Sequence, residues 1–187
     1  VNRMLLGNGY KTVVLDLSTE AVDRVGRFGV KTFFGDASRP DLLHAAGLEE
    51  AKMIVVAIDD EERALEIVRH ARQVRPDIHI VARAKGRHSV YDMYYAGAID
   101  MIRETFDSSV RAGRSALEGL GVHPYEAEKI STAFVQQDLW GIREMAALYN
   151  PDIPVLENEP YIAKAKEVRD EMDRAMVGST KGHKGAI

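Results

Sequence analysis

Thr12-Val13-Val14-Leu15-Asp16 is a short, β-branched run that ends in an acid. Bounded by turn residues, such a run predicts a buried strand. Ser18 is placed to cap a helix running to about Phe28, and Gly29 closes it. Lys31-Thr32-Phe33-Phe34 is a second strand, followed by the turn Gly35-Asp36. Strand, helix and strand with short connections make a βαβ unit, and therefore a parallel sheet.

The same alternation continues outward. Arg39 to Ala46 predicts a short helix with Pro40 in its first turn. Met53 to Ile58 is the most apolar strand, and it ends in Asp59-Asp60. Glu61 to Val74 is an amphipathic helix that stops before Pro76. His79 to Ala84 is a strand, Arg87 to Tyr95 a helix ending at Gly97, and Ile99 to Ile102 a last short strand. The fold class is α/β: a Rossmann-like, doubly wound parallel sheet covered on both faces, with right-handed crossovers. Five strands are present where about six are usual. Arg3 to Lys11 reads as the end of a helix broken by Gly7 and Gly9, so the first strand and its glycine-rich turn are expected before Val1.

After Arg103 the pattern becomes helical. Phe106 to Leu120 is one helix, and Pro124 to Leu148 is a long one with a bend expected at Gly141. Pro151 and Pro154 mark a linker, and Tyr161 to Met176 is a charged helix. The Gly- and Lys-rich stretch from Gly178 to Gly185 is expected to be disordered. The expected organisation is a nucleotide-binding domain over 1–104, a helical dimerisation extension over 105–150, and a charged helix with a flexible tail over 151–187.

Composition excludes several classes. There are 25 basic and 29 acidic side chains, a formal charge of −4, which argues against a nucleic-acid binder. There is no cysteine, so disulfides, Cys-ligated zinc and thiol catalysis are excluded. No apolar run approaches the ~20 residues that span a bilayer. Six histidines are present, and none stands in a triad or metal-ligand spacing, so no catalytic residue is assigned.

The candidate chemistry is nucleotide binding. In a dinucleotide-binding sheet, the acid ending the second strand accepts hydrogen bonds from the ribose diol. Asp16, followed by Leu17, holds that position, although a loop or cap carboxylate would look the same. An acid there also disfavours the extra phosphate of NADP. Gly35-Asp36-Ala37-Ser38 follows one βαβ interval later, where Asp36 and Ser38 can bond a base or ribose edge. Asp59 and Asp60 end the third strand, on the side where ligands bind, and equally suit the first turn of the next helix. Arg3, Arg39, Arg83 and Arg103 fall at strand–loop junctions or helix ends. Singly they suit surface ion pairs, and clustered they would bind an anion.

These segments resemble a known family. Val13 to Asp16, Gly35 to Leu43, Ala57 to Asp60, Ile80 to Ala84 and Arg103 to Phe106 recur in this order and spacing in the cytosolic domain of Kef-type glutathione-regulated potassium efflux systems. That domain is called RCK-N, KTN or TrkA-N. Gly113 to Gly121 followed by Pro124-Tyr125-Glu126-Ala127 is similar to Kef members in particular. The resemblance implies a non-enzymatic regulatory domain at the cytoplasmic face of the bacterial inner membrane. It implies an upstream transmembrane antiporter domain, a homodimer joined through the helix from Phe106 by Leu117 and Leu120, and bound AMP or NAD(H). It also implies control by glutathione or a glutathione adduct, with Arg3 and Arg103 at positions the family uses for that effector. Asp138 departs from the Asn of glutathione-regulated members, and an acid there would repel carboxylates. Two alternatives stand beside it: a TrkA-like NAD-binding subunit of a potassium uptake system, and a fragment of an NAD-dependent oxidoreductase.

Overall fold

A computed structural model describes residues 1–180. The chain divides into two compact units. One comprises Val1–Lys85 and Asp92–Ile102, and the other Gly86–Tyr91 together with Arg103 onward.

The first unit alternates as its sequence predicts. Its elements are α1 (Asn2–Gly7), β1 (Val13–Asp16), α2 (Thr19–Gly26), β2 (Lys31–Phe34), α3 (Pro40–Ala46), β3 (Met53–Val56), α4 (Glu61–Val74) and β4 (His79–Ala84). α5 (Arg87–Ala96) and β5 (Asp100–Arg103) each straddle the boundary between the units. Local chemistry sets the bounds. Ser18 Oγ accepts from the Ala21 N–H at 3.2 Å and starts α2. Gly29, at φ +75°, follows its end. Replacing Ser18 with Ala should cost about 1 kcal/mol, read as a lower urea midpoint.

β1 pairs with β2 in parallel, Val13 opposite Lys31, and β3 with β4, Met53 opposite His79. The sheet is nevertheless not continuous. The strands form a two-stranded piece, β1-β2, and a three-stranded piece in the order β3-β4-β5. β1 pairs only with β2, and β3 only with β4, among the described residues. The core lies against the larger piece. Ala64, Ile67, Val68 and Ala71 of α4 recur at helical spacing and are buried, as are Ile80 and Ala82 of β4. β4 buries alternate residues, so one face is fully covered and the other in part.

The second unit is helical: α6 (Phe106–Gly119), α7 (Pro124–Ala146), a short 3-10 turn at Val155–Glu157, and α8 (Glu159–Thr180). One expectation changes here. α8 starts earlier than Tyr161 because Asn158 caps it, its Oδ1 accepting from the Tyr161 N–H at 3.1 Å while its Nδ2 donates to Leu148 O at 2.8 Å. Gly141 does not divide α7, which is a single helix. A Cβ there would meet Val168 Cγ1 at 2.9 Å, so this glycine lets α8 approach closely. The expected disordered tail lies outside the described residues from 181 on, and its first three residues continue α8.

Candidate functional site

The acids expected to read a nucleotide lie at the carboxyl ends of successive strands of the first unit. Asp16 closes β1, and its Oδ1 accepts from the Ser18 N–H at 2.8 Å. That bond fixes the carboxylate at the strand end and commits one of its two oxygens. Gly35 N donates to Asp16 O at 3.0 Å and holds the β2 turn beside it. Leu17 is exposed, and Ala37 packs partly buried against the core.

Asp36 is the most tightly held of the set. Its Oδ1 accepts from the Ser38 N–H at 3.0 Å and from the Ser38 hydroxyl at 2.8 Å. Its Oδ2 lies 3.3 Å from Arg63 Nη1. The Ser38 backbone bond first, then the hydroxyl bond and the charges of Arg63 and Arg39, hold its carboxyl below the usual carboxylate range. Asp36 therefore stays an ionised acceptor through ordinary acidification.

Asp60 caps α4, accepting from the Arg63 N–H at 3.1 Å. Asp59 pairs with Arg83. Arg63 ties the edge together, since its Nε also lies 3.5 Å from Asp60 Oδ2. The sequence reading missed Arg63. Its signal was its place in the first turn of α4, three residues after the capping acid. Arg39 is bound by Asp41 at 2.7 Å, so it and Arg83 act as local ion pairs. Arg3 is exposed on α1.

A second constellation lies within the helical unit. Asp138 of α7 has a side chain only 2% exposed, and it sits between two guanidinium groups. Arg87 Nη2 donates to Oδ1 at 2.5 Å, and Arg103 Nη2 donates to Oδ2. Arg103 also stacks on Phe106, its Cζ 3.6 Å from the ring centroid. Phe106 in turn stacks on Phe134, with centroids 6.1 Å apart. Asp138, expected to repel an anionic effector, thus faces the positive charges of two arginines of its own unit. Arg87, its other partner, was read only as a helix start.

Comparison with known proteins places the whole arrangement. The TrkA-N domain profile matches residues 1–104, and the potassium efflux system KefB C-terminal domain profile matches 108–181. A Kef C-terminal domain from Shewanella denitrificans, solved in an AMP-bound form, is 41% identical. It superposes with a TM-score of 0.73, over 79% of this chain and 91% of that one. The chain belongs to the Kef family, as its potassium-efflux regulatory domain. The TrkA-N domain of inner membrane protein ybaL from Escherichia coli is 31% identical with a TM-score of 0.57, over 64% of this Kef-type domain and 85% of that chain. An NAD(P)-binding domain from Archaeoglobus fulgidus, at 20% identity and a TM-score of 0.53, shares the Rossmann-like fold. The match beyond residue 108 favours an efflux-type regulator over an uptake-system subunit, because it extends past the nucleotide-binding part. Among the described residues, no helix of the Kef-type domain is long and apolar enough to cross a membrane.

Proposed function

We propose that this Kef-type domain gates potassium efflux by binding AMP at the strand ends marked by Asp16 and Asp36. The observation that carries the reading is Asp16. Its backbone bond to Ser18 presets the carboxylate at the end of β1, and its second oxygen remains to accept from a ribose diol. Asp36 and Ser38, one crossover away, suit the base or the far ribose hydroxyl. The AMP-bound Shewanella relative supports the choice of nucleotide, with NAD(H) the wider alternative. The domain works at the cytoplasmic face of the inner membrane, beneath a transmembrane antiporter. It acts as a homodimer joined through α6, which buries no residue fully and is followed by Leu120, 84% exposed.

Nucleotide and anionic effector act at different places in this reading. Arg103 serves the effector, with Arg3 supplying a further positive charge, and glutathione or its adducts meet an arginine already held by Asp138. Titration calorimetry with AMP, NADH and a glutathione adduct tests the scheme. AMP should bind in a saturable one-to-one fashion. Replacing Arg103 with Ala should abolish residual adduct binding and leave AMP affinity within about twofold. Failure of AMP to bind, or adduct affinity unchanged in the variant, overturns the respective half.

A further inference from the structure

Arg63 joins the two pieces of the sheet at their carboxyl ends. Asp36 follows β2 of the two-stranded piece, and Arg63 lies in the first turn of α4, which follows β3 of the three-stranded piece. Helical side chains lean back toward the N-terminus of their helix, so an arginine in the first turn reaches past the helix start toward the strand ends. Asp60 Oδ1 accepts from the Arg63 N–H at 3.1 Å, which fixes the root of that side chain. Its Nη1 then lies 3.3 Å from Asp36 Oδ2, and its Nε 3.5 Å from Asp60 Oδ2.

The guanidinium is only loosely held there. Both contacts are longer than the ~2.7–2.9 Å of a charge-assisted hydrogen bond. The Arg63 side chain is 43% exposed, and ion pairs so exposed contribute little to stability. Nη2 has no partner among the described residues. Asp36 is divided in its commitments. Ser38 takes Oδ1 twice, while Oδ2 faces Arg63 and no other group among the described residues. At 27% exposure the carboxylate is open to a ligand. The corner therefore presents one charged acceptor, Asp36 Oδ2, beside the unused N–H donors of Arg63.

A matching ligand edge carries a donor next to an acceptor. Adenine has that edge, because its 6-amino donor is flanked by the ring-nitrogen acceptors N1 and N7. A 6-oxopurine puts an acceptor in place of the amino group, and that oxygen would oppose the Asp36 carboxylate. Resting on the AMP reading, we propose that Arg63 is a specificity-determining residue of the nucleotide site. It donates to a ring nitrogen of adenine while Asp36 Oδ2 accepts from the 6-amino group. Adenine is thereby selected over hypoxanthine by a donor and an acceptor that stand on different pieces of the sheet.

The test is calorimetric titration of the full chain with AMP, IMP, 1-deaza-AMP and 7-deaza-AMP, for the wild type and Arg63→Met. The methionine keeps the stem and removes the donors. The wild type should bind AMP at least about tenfold more tightly than IMP. Arg63→Met should bind AMP about tenfold more weakly, the low end for a hydrogen bond to a charged group, with its thermal midpoint unchanged. The deaza analogue that lacks the nitrogen used by Arg63 should bind wild type and variant equally, which a purely structural role would not produce. Arg63→Lys gives the same comparison should the methionine variant not fold. AMP affinity in Arg63→Met within about twofold of wild type overturns the proposal, as does a tenfold loss for both analogues or equal wild-type affinity for AMP and IMP. Each of these leaves AMP binding standing. No saturable AMP binding by the wild type overturns the AMP reading and this selection with it.

Discussion

Replacing Asp138 with Ala should lower the stability of the helical unit by about 3 kcal/mol, the lower end of the cost of removing one partner from a buried ion pair. The lower end applies because the two arginines differ. Arg103 is 13% exposed and pinned over Phe106, so it cannot swing into water. Arg87 is 41% exposed and can recover hydration. Without Asp138 the two guanidinium groups face one another across the space it filled. For a unit of this size the loss corresponds to a fall of roughly 12–24 °C in its thermal midpoint. Asp138→Asn keeps the shape and one acceptor oxygen but not the charge, so its cost should be about half. The Asn variant should also gain affinity for a glutathione adduct, because Arg103 and Arg87 then lack a charged partner of their own. Differential scanning calorimetry checks the first effect and adduct titration the second. A midpoint for Asp138→Ala within 2 °C of wild type would mean that the triad does not hold the helices in solution.

This triad marks the limit of what could be read from the chain alone. Arg87 and Asp138 are 51 residues apart, and Arg103 and Asp138 are 35 apart. No periodicity reports which distant helix faces bring such residues together. Sequence reading found Arg103 and Asp138 separately, through resemblance, and assigned Asp138 a repulsive role. Only packing reveals that the aspartate neutralises the arginine. The strands and helices were legible because their signals are local. Val13 to Asp16 alternates with a capped helix, α4 carries buried residues at helical spacing, and Gly29 follows the end of α2. Gly141 shows the same limit. What a mid-helix glycine makes room for is known only once its neighbour is, and here that neighbour is Val168.

Replacing Asp16 with Ala should weaken AMP binding about 100-fold and leave the fold nearly unchanged. The size follows from counting bonds. A ribose diol offers two O–H donors, and each hydrogen bond to a carboxylate contributes about 1.5–3 kcal/mol. Losing the pair costs about 3 kcal/mol at the low end, or about two decades in affinity. The structural cost is smaller, because among the described residues Asp16 Oδ1 accepts from Ser18 N–H alone, in a turn already stabilised by the Ser18 cap. Asp36 makes the informative contrast. It is committed to Ser38 and Arg63, so Asp36→Ala should disturb the loop after β2 and reduce AMP affinity by about tenfold, roughly one charge-assisted bond. The ordering Asp16 above Asp36 is therefore the discriminating result. Should Asp36→Ala prove the more damaging for AMP while Asp16→Ala binds normally, the nucleotide sits on the β2 turn and Asp16 is a helix-entry carboxylate. Calorimetric titration of both variants, alongside their thermal midpoints, separates the two arrangements, because loop damage lowers the midpoint and loss of a ligand contact does not.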